Sequence, residues 1–465
     1  MEIRFTLNGT AVRADGIDPH TPLLHFLRDR GHTGTKEGCA EGECGACAVA
    51  VVRQAPDGTT RYIPINSCLV LLPAVHGEEI ITVEGVRGES LHPVQRAMVD
   101  HGGSQCGYCT PGFVVSLFAE FYRTERAAGE VDPEAISGNL CRCTGYRPIR
   151  DALASLGKPQ SGDPHLVRLE RAAPERSAFA YECGEARFER PTSLDGLLDL
   201  LRSHPRAKLI AGGTDLVVEV NQRDARWDVL ISLEAIPELR GIDDEPTHIR
   251  IGAAVPLSEV ESVLHGHSAI LDQLFPLFSS RLIRNRATFG GNIVNASPIG
   301  DGPPALLALD ASVEVSSRDG QRAIPLADFF TGYRKTVLDH GEVVSAVRIP
   351  KPLPDLQRFF KVSKRILDDI STVAAGFGLW LDDDGLVTKA RLAYGGVAAT
   401  PVRARAAEDA LLGHRFDAAA VARVRPLLEN AFTPITDHRG SAEYRRAMVP
   451  RLIEKLESER AEAAE

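Results

Sequence analysis

No stretch of the 465-residue chain approaches the roughly eighteen consecutive apolar residues that a membrane-spanning helix requires, so no membrane is expected as a partner. The N-terminal MEIRFTLNGT reads as a strand and has no basic-then-apolar signal region, which gives a cytoplasmic expectation. Basic charge is in short supply. With 53 Lys and Arg against 63 Asp and Glu the net charge is −10, and no basic stripe is interleaved with aromatics, which argues against nucleic acid as a partner. P-loop and zincin motifs are missing, as is any constellation for nucleophilic catalysis, so no catalytic side chain is assigned. His25, His32, His76 and His101 are scattered and read as structural or solvated. Repeats and low-complexity tracts are absent too. Cysteine, by contrast, is plentiful. Nine cysteines in a chain expected in a reducing compartment point to metal or catalytic use, because disulfides are rare there.

The densest cysteine stretch is KEGCAEGECGACAV, which places Cys39, Cys44 and Cys47 in a Cys-x4-Cys-x2-Cys loop, with Cys68 about twenty residues further on. This is close to the plant-type spacing for a [2Fe-2S] cluster. Gly38, Gly42 and Gly45 let the backbone fold back so that amide N–H groups face electron-rich sulfurs. The alternative, a zinc knuckle or plain buried thiols, fits less well because zinc sites favour paired Cys-x2-4-Cys units. A second set, Cys106 and Cys109 in CGYC with Cys141 and Cys143 in CRC, lies where helices are expected to begin. There the positive dipole end and free amides favour thiolates. A second [2Fe-2S] site is the functional reading, and a four-cysteine zinc site is the alternative. The tight Cys-x-Cys pair is unusual for zinc.

Taken in order, residues 1–85 alternate in sheet fashion: Ile3, Phe5 and Leu7, an Asn8-Gly9 turn, and strands over 47–53, 61–66 and 80–83. A Pro22-initiated helix over 23–30 crosses between them, which suits a ferredoxin-like β-grasp. Residues 86–156 read as all-helical, with helices over 90–99 and 111–122, another opening at Pro133, and a last one from Arg147 to about Leu156. Residues 157–178 are proline-containing and without apolar period, a surface linker. Cys183 has no partner in spacing and reads as a buried thiol. From 179 to 350 strands and helices alternate around two glycine turns, Ala211-Gly-Gly-Thr-Asp215 and Thr288-Phe-Gly-Gly-Asn292. Neither is G-x-G-x-x-G, so no Rossmann site is supported. The turns either let amides approach a pyrophosphate or are ordinary structural turns. Residues 351–465 carry a strand pair, 373–381 and 386–394, and then helices, the last highly charged and expected to fray at its tip.

GCAEGECGAC, SQCGYCTPG and NLCRCTGYRPI in this order resemble the iron–sulfur part of the molybdenum hydroxylases. A flavin portion on the same chain narrows the resemblance to the xanthine dehydrogenase group. KLIAGGTDL and TFGGNIVNASPIGD are similar to that group's flavin-binding turns. The resemblance implies an α+β multidomain chain: a β-grasp ferredoxin domain, a four-helix [2Fe-2S] domain, an α+β FAD domain of the vanillyl-alcohol-oxidase type, and a C-terminal α+β flavoprotein domain. It implies that Leu209, Ile210, Ala211, Gly212, Gly213, Thr214, Asp215 and Leu216, with Thr288, Gly290, Gly291 and Asn292, hold the FAD pyrophosphate. Asp301 would serve the ribose or adenine side, Phe278 and Val343 would pack as apolar contacts, and Lys361 would touch the FAD. The 360–371 loop resembles the place where NAD approaches, although animal members carry more charge where Ile366 and Leu367 stand.

Two [2Fe-2S] clusters and FAD are therefore the expected cofactors, with NAD as electron acceptor. A molybdopterin-binding large subunit is the expected partner, in an α2β2 heterotetramer. The second cluster would lie nearer the molybdenum, with Gln105 matching a pterin contact. The implied activity passes electrons from hypoxanthine or xanthine hydroxylation through both clusters to FAD and NAD. The same relay in an aldehyde- or N-heterocycle-oxidising relative is the alternative, and a zinc-stabilised, flavin- or partner-binding adaptor is the alternative from another class.

Overall fold

A computed structural model describes residues 2–88, 90–123, 126 and 130–464. Met1 and Glu465, the outermost residues of the expected first strand and last helix, lie outside the described residues. The chain is a multidomain α+β protein that divides into two compact units. One holds Met1–Pro237 with Ser280–Ala287, and the other holds Glu238–Ser279 with Thr288–Glu465.

In the first unit, a five-stranded sheet runs in the order Thr10–Ala14, Ile3–Leu7, Glu79–Ile81, Ala48–Gln54, Thr60–Asn66. Period-2 burial of Ile3, Phe5 and Leu7 puts one face on the core, where the Leu23–Asp29 helix buries Leu23, Leu24, Phe26 and Leu27. Each fully buried leucine there contributes about 2 kcal/mol. The helical part packs Thr110–Phe121 against Pro93–Asp100 and the Ala48–Gln54 strand. Its first helix starts at Pro93, not at Ser90. Proline takes the first helical position because it has no N–H to lose, and the His92 ring then accepts from Val94 N–H while Gln95 accepts from His92 N–H. Pro133–Ile136 is a single 3₁₀ turn, stopped by extended Ser137 and by Gly138 at φ +87°.

The stretch read as linker is more ordered than its composition predicts. Asp163 caps a Pro164–Leu169 helix, Tyr62 Oη donates to the His165 carbonyl at 3.0 Å, and Arg168 pairs with Glu79. Six helical residues are too few to show a period. Beyond it, strands Phe179–Cys183, Ala186–Arg190, Val229–Ser232 and Lys208–Ile210 form a sheet in that order, and Ser193 caps the Leu194–Ser203 helix. Cys183 is only half-buried, because it ends its strand at a tight turn.

The second unit contains a five-stranded sheet, in order Ile242–Asp244, His248–Gly252, Val343–Pro350, Ser312–Ser317, Gly320–Pro325, and a four-stranded sheet from Leu356–Val362 to Val402–Arg403. Helices Arg405–Leu411, Ala418–Glu429 and Ala442–Ala464 cover the latter around an apolar core. Arg445 is fully buried there and donates to the carbonyls of Thr372 and Gly396 at 2.8 and 2.7 Å.

Candidate functional site

The cysteines of the first unit gather in two sets of pairs. In the 39–47 loop Cys44 hydrogen-bonds to Cys39, while Cys47 and Cys68 lie with their sulfurs 3.3 Å apart. The Cys39 thiol is held down to about 5, first by the Cys44 hydrogen bond and also by backbone N–H groups of Glu41, Cys44 and Glu43. Those are the amides the glycines were expected to free. Gly42 and Gly45 stand at φ +82° and +64°, and a Cβ on Gly38 would meet Cys44 Sγ at 2.7 Å. In the second set, Cys106 pairs with Cys143 and Cys109 with Cys141. Burial pushes Cys109 up to about 12, whereas the Tyr108 N–H draws Cys106 below the ordinary thiol range. Cys109 lies at the start of the Thr110–Phe121 helix as expected, with no capping bond from its side chain. Cys141 and Cys143 instead sit in the loop before the next cap, Tyr146, because left-handed Gly145 and Tyr146 fold Thr144 back onto the Cys141 sulfur.

Among the described residues no three His, Cys, Asp or Glu side chains converge as one mononuclear metal requires. Each set, two adjoining pairs of thiols, fits a dinuclear cluster with two ligands per iron.

The two cysteine sets adjoin. The Leu140 N–H donates to the Cys44 carbonyl at 3.0 Å, Lys36 Nζ donates to the Gly107 carbonyl at 3.0 Å, and the Tyr108 hydroxyl donates to the Glu37 carbonyl. A Cβ on Gly112 would fall 2.1 Å from the Gly45 carbonyl. Only glycines permit this approach. Gln105, Cys106 and Cys143 are exposed, with Tyr108 and Leu140 beside them.

The expected flavin residues fall in both units. In the first, Leu209 and Ile210 end a short strand, Ala211 to Asp215 turn, and Leu216 opens the Leu216–Arg223 helix. Arg286 Nε donates to the Gly212 carbonyl at 2.8 Å, and a Cβ on Gly212 would meet the Arg286 carbonyl oxygen at 1.9 Å. Arg286 also pairs with Glu234 at 3.1 Å. In the second unit, the Thr288 hydroxyl accepts from the Gly291 N–H at 3.0 Å and so caps the Phe289–Val294 helix. Asn292 Oδ1 is buried without a hydrogen-bond partner. A buried acceptor left without a partner is what a bound polar group would satisfy. Gly302 lies against Asn292, and Asp301, which precedes it, accepts from Lys361 Nζ at 2.8 Å. Lys361 also donates to the Leu277 carbonyl, next to buried Phe278. Val343 begins the strand whose Ser345 carbonyl accepts from Ala253 N–H, and Ala253 backs Gly290. The second unit thus brings Phe278, Thr288, Gly290, Gly291, Asn292, Asp301 and Lys361 together around one turn set, with Val343 reaching it through Ala253. These residues fit an FAD site.

Residues 5–72 match the family described as "2Fe-2S iron-sulfur cluster binding domain", and 82–154 match "[2Fe-2S] binding domain". Residues 182–352 match "FAD binding domain in molybdopterin dehydrogenase", and 358–459 match "CO dehydrogenase flavoprotein C-terminal domain". A Cu,Mo-CO dehydrogenase in its cyanide-inactivated form superposes with TM-score 0.56 at 30% identity, over 60% of this chain and 98% of that one. The chain belongs to the molybdenum hydroxylase family. Within it, the chain is an oxidoreductase's electron-relay module with two [2Fe-2S] domains and an FAD domain. It is similar to xanthine dehydrogenase of Emericella nidulans, 34% identical over 89% of this chain and 35% of the relative. Xanthine dehydrogenase of Oryza sativa is 36% identical over 87% of this chain and 36% of the relative. The chain therefore spans about a third of the length of these relatives. Quinoline 2-oxidoreductase of Pseudomonas putida 86 is a further structural neighbour, with TM-score 0.54 at 27% identity, over 60% of this chain and 97% of that one.

Sequence reasoning passed over Lys36, Asn139, Asn221 and Arg286. Asn139 donates to the Gly45 carbonyl at 3.2 Å and accepts from Ser116 at 2.7 Å, joining the two cysteine regions. Each makes contacts far away in the chain, and no spacing rule announces them.

Proposed function

We propose that this chain carries electrons from a purine-hydroxylating molybdenum centre on a partner subunit, through the two clusters to FAD and on to NAD, as the iron–sulfur/flavin part of a xanthine dehydrogenase. The observation that carries this reading is the serial arrangement of the cysteine sets. One set exposes Cys106 and Cys143 to a partner, and the other backs onto it through the Cys44 and Leu140 hydrogen bond. When bound, the clusters move single electrons, while a flavin stores two and exchanges a hydride with a nicotinamide. Cys39, Cys44, Cys47 and Cys68 would hold one cluster, Cys106, Cys109, Cys141 and Cys143 the other, and the 288–292 turn with Asp301 and Lys361 would hold FAD. Similarity to xanthine dehydrogenases along most of this chain favours purine as electron source, and the resemblance of the 360–371 loop to the place where NAD approaches supports NAD as acceptor. The exposed Gln105, Tyr108 and Leu140 support docking of a molybdopterin-binding subunit; the α2β2 stoichiometry is proposed from the family resemblance alone.

A second reading, the same relay serving an aldehyde or N-heterocycle, is favoured by the likeness to quinoline 2-oxidoreductase. No helix among the described residues is long and apolar enough to cross a membrane. The test is anaerobic mixing of the purified complex with NAD and, in turn, xanthine, an aldehyde and quinoline. NADH formation with xanthine alone supports the first reading, and turnover with only the other substrates replaces it.

A further inference from the structure

The helix that follows the first glycine turn makes an unusual set of contacts with the first cysteine loop. Asn221, two residues before the end of Leu216–Arg223, donates its side-chain amide to the Ala40 carbonyl at 2.8 Å and to the Cys68 carbonyl at 2.9 Å. The neighbouring Gln222 Nε2 donates to the Cys39 carbonyl at 3.3 Å. Three peptide carbonyls, each on or next to a candidate cluster ligand, therefore receive donors from one helix turn. Ala40 holds the left-handed conformation at φ +56°, uncommon for alanine, and its carbonyl is one of the two that Asn221 takes. The start of the same helix is close as well, since a Cβ on Gly213 would lie 3.2 Å from the Leu69 carbonyl, one residue past Cys68.

We propose that Asn221 is a positioning residue that fixes the 39–68 cluster against the flavin-side helix and raises that cluster's reduction potential. This rests on the reading of Cys39, Cys44, Cys47 and Cys68 as ligands. The cluster gains one electron on reduction and loses that electron on reoxidation, so its negative charge rises by one unit in the reduced form. Amide donors on the adjoining carbonyls withdraw negative charge from the cluster's surroundings and stabilise that form. Removing the donors lowers the potential, and an added carboxylate lowers it further. A bracket that only docked two pieces of chain would give no such graded effect.

The test is an EPR-monitored redox titration of the holoprotein in wild type, Asn221→Leu and Asn221→Asp, with iron and FAD measured on the same samples. The expected result is two [2Fe-2S] signals in full amount. One would move to lower potential in the order wild type, Leu, Asp, and the other would stay in place. The signal that moves should be the one lost in Cys44→Ser. Unchanged potentials of both signals in both variants would overturn the proposal while leaving the ligand assignment intact. Loss of iron in both variants without a graded shift would also overturn it, and would reduce Asn221 to a structural bracket. A Cys44→Ser protein that keeps both signals would overturn the ligand reading itself.

Discussion

Lys361 Nζ stands 2.8 Å from Asp301 Oδ2, both side chains almost wholly withdrawn from solvent, and the other carboxylate oxygen of Asp301 accepts from Ser371. Residues sixty positions apart thus meet beside the orphaned Asn292 acceptor. Burial makes each charge depend on the other, since an unpaired buried charge costs about 3–5 kcal/mol.

Asp301→Ala should therefore lower both FAD retention and the stability of the flavin-binding unit, while iron content stays normal. Flavin-to-iron ratios and thermal unfolding check this. The Asp301→Ala/Lys361→Met double variant should be less destabilised than Asp301→Ala, because it leaves no buried charge alone. Loss of iron and flavin together would contradict the separation.

Cys44→Ser removes a member of the Cys39–Cys44 pair and should halve the iron per chain. Metal analysis with visible absorbance measures it. The Cys106–Cys143 and Cys109–Cys141 pairs should keep their cluster.

Gly45→Ala tests the junction of the two cysteine regions. The new methyl would sit 2.3 Å from the Gly138 carbonyl in a left-handed conformation, so the variant should lose about 2 kcal/mol or more in denaturant unfolding. Gly58→Ala, at a turn with open space around it, shares the positive φ without the clash and should lose less.

His92 gives a pH signature. Its ring caps Pro93–Asp100 and bonds Tyr122 Oη at 2.8 Å, and burial, reinforced by His165, depresses its pKa from 6.5 to about 4. The unfolded chain takes up the proton first. This contribution is fully present above pH 6.5 and is lost as pH falls toward 4, up to about 3 kcal/mol in all. Melting temperature should fall between pH 7 and 4.5, and His92→Asn, which keeps a capping acceptor, should show a shallower fall.

Much of this was legible because it is local. Cysteine spacing, glycine loops, and the alternation at Ile3, Phe5 and Leu7 are each patterns within a few residues; the β-grasp reading follows from them, and the rest of the fold class from the family resemblance that the motifs carry. Ser90 misled because a serine before a helix resembles a cap, whereas Pro93 and the His92 ring set the start. The Pro164–Leu169 helix is shorter than a period can reveal, and its order comes from Tyr62 and Glu79, about a hundred positions earlier. Asn221 on Cys68 and Arg286 on Gly212 are long-range polar contacts, and no local pattern marks them in advance.

The most direct test of the electron-relay account is the iron, flavin, molybdenum and zinc content of the protein purified from its native host. The account predicts four iron atoms per FAD, two for each [2Fe-2S] domain, with molybdenum in the same complex. Zinc in the cysteine sites with neither iron nor flavin absorbance would contradict it.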